Sequence, residues 1–340
     1  DNLDSFNIGE NAMSKLRYVL VVVLALSLST LFMGLSDSHA RKFPWKPIKV
    51  IVPLGAGGSH DLNTRAVAAV AYDYLGQPMI VQLMPGAGGK IAMHALKKAK
   101  NDGHTLLMSS ASHLTIGPHV RNMGYDPLND FEFVFMFTKA DYMMAALASQ
   151  PWKGFKQFIA AAKKNPDKIS YGSSGIYGTG HLMLLKIMAD TGAKIKHIPF
   201  KGGGPAYRAG LGGHIDSFGA LPATGGTLGR YKRGQVQILG VCSKKRIKMF
   251  PKVPTMIENG VDFVLASKRT IIAPKGTPQD RIDFLVEAFK KLVKNKTYKK
   301  LLKKMGEKPS PLYGPALKAD FVAEHAAFGK ILASIGVKKK

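Results

Sequence analysis

The chain has 340 residues, enough for two ordinary domains, and 46% of them are hydrophobic, which excludes a mostly disordered polypeptide. It carries 49 Lys and Arg against 22 Asp and Glu, a formal charge of +27 that favours anionic partners. One cysteine, Cys242, excludes an intrachain disulfide scaffold, a cysteine zinc cluster and an iron–sulfur centre.

Near the start, Met13 is followed by Lys15 and Arg17, an apolar run from Val19 to Leu28, and small residues Ser38 and Ala40 before Arg41. This order predicts a cleavable secretory signal within residues 1–40, cut after Ala40, and hence an exported protein. Ser27, Ser29 and Thr30 interrupt the run where a retained anchor would stay apolar.

Beyond it, short apolar runs alternate with helical patterns, the signature of βαβ units. Strands are predicted at 48–53, 79–83 and 105–109, with helices at 61–75 and 90–98 between them. Further strands follow at 132–137 and 143–148, separated by polar Lys139 and Asp141. The middle reads as helix 155–164, strand 169–172, helix 179–190, strand 196–200, helix 205–211, and strands at 214–218 and 236–242. After a strand-like segment at 263–273 come helices at 278–294, 298–305 and 315–334. No low-complexity linker divides the chain, so two lobes would be joined on strands, with crossings near 138–142 and 265–270. The lobes would then be 41–138 with 270–340, and 139–269.

Four glycine-rich segments, at 54–59, 85–89, 172–180 and 201–204, each join a strand to a helix. Glycine lets backbone N–H groups approach a ligand closely, and a helix starting there adds unpaired donors suited to carboxylate or phosphate. Nucleotide motifs do not fit: His60 stands where GxGxxG needs its third glycine, and Ile91 follows Gly89-Lys90 where a P-loop needs Ser or Thr. Gly172-Ser173-Ser174-Gly175 has the wrong spacing for a nucleophile elbow, and the histidines lack metal-ligand spacing, so no catalytic residue, metal or cofactor is indicated. His181, at a predicted helix start, could donate to an anion or cap and pack that helix. The lysine-rich stretch 290–304 lacks aromatic interleaving, so nucleic acid is not an expected partner.

A series of phrases carries a family resemblance over residues 44–336. It runs from Pro47-Ile48-Lys49-Val50 and Ala56-Gly57-Gly58 with Asp61, through Leu75-Gly76-Gln77-Pro78 and Pro85-Gly86-Ala87-Gly88-Gly89, to Asp102-Gly103-His104-Thr105. It continues with Tyr125-Asp126-Pro127, Tyr171-Gly172-Ser173, Pro199-Phe200-Lys201-Gly202-Gly203, Leu211-Gly212-Gly213-His214 and Ala273-Pro274-Lys275-Gly276. In this order the chain resembles the solute receptors of tripartite tricarboxylate transporters, the Bug-type periplasmic binding proteins.

The resemblance implies a two-lobed α/β fold of the type II-like periplasmic binding protein class, each lobe a mostly parallel sheet flanked by helices, joined by two crossover segments. It implies a monomer that closes on a small di- or tricarboxylate-like anion, has no chemistry of its own, and delivers the ligand to permease subunits. A sensor-docking protein and an exported polyanion binder are the alternatives. By position, the first lobe would offer Ala56, Gly57, Gly58 and Ser59, with Asp61 capping rather than touching the ligand, and Ser109, Ser110 and His113 from a second loop. The facing lobe would offer Ser173, Ser174, Gly178, Thr179 and His181, then Lys201 and Gly202, with Gly219 closing the site. Two departures stand out. Phe218-Gly219-Ala220 lacks the carboxylate many relatives carry there, which disfavours an amino-acid ligand, and Lys268 after Ser267 replaces an aromatic wall with a cation.

Overall fold

The computed structural model describes residues 42–337 and Lys339, so the predicted export signal lies outside the described residues. The first sheet has six strands in the order β11-β4-β10-β3-β1-β2. They are β1 (Ile48–Val52), β2 (Met79–Leu83), β3 (Thr105–Ser109), β4 (Phe131–Asp141), β10 (Ala266–Pro274) and β11 (Pro309–Tyr313). The second has five, in the order β7-β6-β8-β5-β9, comprising β5 (Met143–Leu147), β6 (Ser170–Ser173), β7 (Lys196–Pro199), β8 (Ser217–Ala220) and β9 (Val236–Val241).

The first sheet is covered on both faces, which explains the near-continuous apolar run of β1. Ile48, Val50 and Val52 pack with helices α1 (Ser59–Leu75), α8 (Gln279–Leu292) and α9 (Lys296–Lys304), while Ile51 faces α2 (Lys90–Lys97) and α10 (Gly314–Ser334). The second sheet is likewise packed between α4 (Gly154–Lys164) and α5 (Thr179–Thr191) on one face and α6 (Gly203–Leu211) on the other. Two short helices, α3 (Gly117–Val120) and α7 (Thr227–Lys232), complete the set among the described residues.

The two-sheet α/β architecture matches the expectation, with one difference. Both sheets are mixed rather than mostly parallel: β10 runs antiparallel to β3 and β4, and β5 antiparallel to β8 and β9. The cause is connectivity. β4 leaves the first sheet and continues into β5 of the second with only Tyr142 between, and β10 brings the chain back. Strands that carry the chain out and back beside each other must run in opposite directions.

Other differences are local. β4 extends through Lys139 to Asp141 because Ala266, Ser267 and Lys268 pair with Asp141, Ala140 and Lys139. The strand predicted at 214–218 begins at Ser217 and runs to Ala220. Residues Ser112–Ile116 form a π-helical turn, buried throughout.

Candidate functional site

Loops from both sheets enclose a small cavity of about 30 Å3. The first sheet contributes Leu54, Gly58, Ser59 and His60 after β1, Ser110 and Ser112 after β3, and Ser267 on β10. The second contributes Tyr142, Ser174, Thr179, Gly203, Thr224 and the run Gly219–Leu221. Three helices of eight residues or more begin at this cavity: α1, α5 and α6. Their N-caps are Gly58, Gly178 and Gly202, and none receives a side-chain capping bond. Their first-turn N–H donors and positive dipole ends are therefore left for a ligand, and an anion is what they suit. No Asp or Glu lines the wall.

Behind the wall sits a cation that sequence reasoning missed. The Arg269 guanidinium is fully buried; its Nη2 donates to Ser59 Oγ and, at 2.6 Å, to Glu307 Oε1, and its Nη1 donates to the Ser267 carbonyl at 2.8 Å. Ser59 also donates to Glu307 at 3.3 Å, and Asn63 ties the Ser59 carbonyl at 2.9 Å while accepting from Thr138 at 3.1 Å. The alternation of β10 decides which charge reaches the site. Ser267 and Arg269 face it, whereas Lys268 points to the opposite face. There Lys268 Nζ meets Asp320 at 2.5 Å and Glu324 at 2.9 Å, so the cation expected at the cleft is committed to α10 instead.

His60 is buried at the cavity wall, and its Nε2 has no hydrogen-bond partner among the described residues. Burial, reinforced by Arg269 and His113, lowers its pKa to about 3, so it is a neutral imidazole at physiological pH. The Tyr142 hydroxyl fits only because Gly180 and Gly219 lack side chains: a Cβ at Gly180 would lie 2.5 Å from it, and one at Gly219 would press on it too.

Of the residues singled out from sequence, Gly58, Ser59, Ser110, Ser174, Thr179 and Gly219 line the cavity together. The others have different surroundings. Asp61 accepts the Gly57 N–H at 2.8 Å and pairs with Arg65 at 2.7 Å, which fixes the loop before α1. Ser109 donates to the Thr270 carbonyl at 3.1 Å, and His113 bonds Ser110 Oγ at 3.1 Å. The Ser173 hydroxyl is held by His197 Nε2 at 2.7 Å and Gly175 O at 3.0 Å. His181 accepts the Tyr177 N–H at 3.0 Å and stacks on His197 at 3.9 Å; burial, with His197 beside it, lowers its pKa to about 3. It caps and packs as a neutral ring.

Ala56, Gly57, Lys201 and Gly202 form a seam between the two sheets' loops. Gly55 N–H donates to Lys201 O at 2.8 Å, and Arg208 donates to Ala56 O at 3.2 Å. A Cβ at Gly202 would lie 2.5 Å from Gly55 N, and one at Gly55 would lie 2.8 Å from Lys201 O. These glycines permit backbone to meet backbone across the cleft. Their sequence signal is the same as that of a ligand loop, which is why pattern alone does not separate the two roles.

Among the described residues no group of three or more His, Cys, Asp or Glu could hold a metal, and Cys242 is a buried free thiol whose pKa burial raises. No described helix is long and apolar enough to cross a membrane.

Comparison with known proteins fits this geometry. The Bordetella pertussis protein BugT is 34% identical over 262 residues, 76% of this chain and 79% of BugT. The structure of the periplasmic binding protein BugD superposes with a TM-score of 0.83 at 28% identity, covering 88% of this chain and 100% of that one. An R. palustris protein solved with adipate superposes with a TM-score of 0.80 at 26% identity, again covering 88% and 100%. The model of the tripartite tricarboxylate transporter family receptor matches residues 64–335. With its periplasmic-binding-protein fold and an anion-suited cavity between two sheets, the chain belongs to this receptor family, in its Bug-type branch.

Proposed function

We propose that this protein is a periplasmic receptor that captures a small carboxylate between two lobes and delivers it to the permease of a tripartite tricarboxylate transporter. The observation that carries this reading is the convergence of three uncapped helix N-termini on a cavity without acidic side chains. A carboxylate accepts several N–H bonds at once, and Arg269, balanced by Glu307, fixes the Ser59 hydroxyl from behind without occupying ligand space. The adipate bound by the R. palustris relative supports the ligand class.

On this reading the two lobes are residues 41–138 with 270–340, and 139–269, and the chain passes between them along β4 and β10. A ligand held by both lobes favours the closed form, in which the seam of Gly55 and Lys201 is made. The segment from Met13 to Ala40 serves as the export signal, and the protein works without chemistry of its own.

A thermal-shift screen of di- and tricarboxylates against amino acids and phosphates tests the reading. A ligand specific for the folded state, supplied at 100 times its Kd, adds about 2.7 kcal/mol of stability. Carboxylates should raise the melting temperature. Stabilisation by none of them overturns the proposal.

A further inference from the structure

The glycine loop at 85–89 takes no part in the cavity described above. It borders a second chamber of about 270 Å3, which shares Leu54 and Ser174 with the inner cavity and so adjoins it. Two cations from different sheets line this chamber, Arg121 and Lys201, and no Asp or Glu does. Arg121 follows α3 and lies on the loop: its Nη2 donates to Gly88 O at 3.3 Å, and a Cβ at Gly88 would collide with the guanidinium. Gly88 also has φ +62°, which an L side chain rarely adopts. The glycine at 88 therefore makes a seat for Arg121. Neither half-buried Arg121 nor exposed Lys201 forms an ion pair among the described residues.

The inner cavity admits only two or three water-sized groups, at about 10–15 Å3 each, which suits one carboxylate but not a whole dicarboxylate. A longer ligand must extend past Leu54 and Ser174 into the outer chamber, where Leu54, Ile176 and Phe200 offer apolar surface to a methylene spacer.

We propose that Arg121 and Lys201 form an outer anion site that holds the distal carboxylate of a dicarboxylate whose first carboxylate occupies the inner cavity. The inference rests on the carboxylate-receptor reading and deepens it to a substrate class: dianions with a short apolar spacer. The Lys201 carbonyl accepts the Gly55 N–H across the cleft, so the same closure that makes the seam brings Lys201 to the chamber that Arg121 also lines. The outer site is complete only when the lobes are closed, and a second charge on the ligand then favours closure.

Isothermal titration of the full protein with adipate and hexanoate, and with succinate and butyrate, tests this. The wild type should prefer a dicarboxylate to its monocarboxylate counterpart by about tenfold or more, as a charge-assisted bond in a partly enclosed site provides. Arg121→Gln should shrink that preference by about tenfold. Lys201→Gln, at an exposed side chain that the fold does not need, should shrink it in the same direction by a smaller factor. An unchanged preference in both variants overturns the outer site, as does an equal loss for both ligand types. Equal wild-type affinity for the two types also overturns it while leaving the carboxylate receptor standing. Binding of no carboxylate at all refutes that reading, and the outer site with it.

Discussion

Gly204 offers the sharpest test of closure, because alanine there opposes the closed form and not the fold. The methyl group would press on the Ala56 carbonyl oxygen and lie 2.7 Å from Gly58 N and 2.8 Å from the Gly57 carbonyl carbon. These are backbone atoms, which cannot swing away as the tip of a side chain could. With ordinary contact beginning near 3.4 Å, the facing loop must retreat by at least about 0.7 Å. That retreat stretches two bonds across the cleft, Gly55 N–H to Lys201 O at 2.8 Å and Arg208 to Ala56 O at 3.2 Å. Each contributes a net ~0.5–1.5 kcal/mol, so the closed form loses about 1–3 kcal/mol and carboxylate affinity falls about five- to 150-fold. Gly204 is the second residue of α6 and has no positive φ, so alanine is compatible with the helix itself. The melting temperature of the unliganded variant should therefore hold, while titration shows weaker binding and small-angle scattering shows less compaction with ligand. Full affinity together with full compaction in Gly204→Ala would refute the argument that this seam governs closure.

Three further outcomes follow from the buried charges. Arg269→Met leaves Glu307 buried without its partner and should cost about 3–5 kcal/mol in urea unfolding, with Arg269→Met/Glu307→Met recovering most of it; a loss below ~1 kcal/mol for the single variant contradicts the network. Lys268→Met should destabilise the docking of α10 by about 1–3 kcal/mol yet leave ligand affinity within about twofold, and a larger affinity loss would return Lys268 to the cleft. Burial holds His60, His113 and His181 at about 3 and His197 at about 4, below the free imidazole value of 6.5, so the unfolded chain takes up protons first as pH falls. Stability should be level above about pH 7 and decline from about pH 6.5 downward; equal urea midpoints at pH 7 and pH 5 would contradict this.

The alternation of strands and helices was legible because β1, β3 and β9 are apolar runs bounded by turns. β11 was not, since Pro309 and Pro311 argue against a strand. It survives because it is the outer strand of its sheet, paired only with β4, where missing N–H groups cost no second ladder. Polar Lys139 and Asp141 read as a break, yet they lie where β4 runs on beside β10 toward the second sheet. The site was half legible. Glycine loops and hydroxyls are local signals, but Arg269 and Glu307 stand far apart in sequence and meet only through the sheet. The one available hint was the run Ser267-Lys268-Arg269-Thr270 inside a strand expected to be buried. Charges there require partners, and alternation sends them to opposite faces.

Tyr142 has a mechanical consequence. It is the single residue between β4 and β5, and its ring sits in the cavity wall. A lever pivoting at this point multiplies small torsions: β5 extends about 17 Å from it at ~3.3 Å per residue, so a turn of about 10° displaces the strand's far end by about 3 Å. That stroke is as large as the contact distances of the seam itself. In the closure proposed above, the pivot and the ligand pocket would share one side chain, and whatever fills the space beside the Tyr142 hydroxyl would bear directly on that joint.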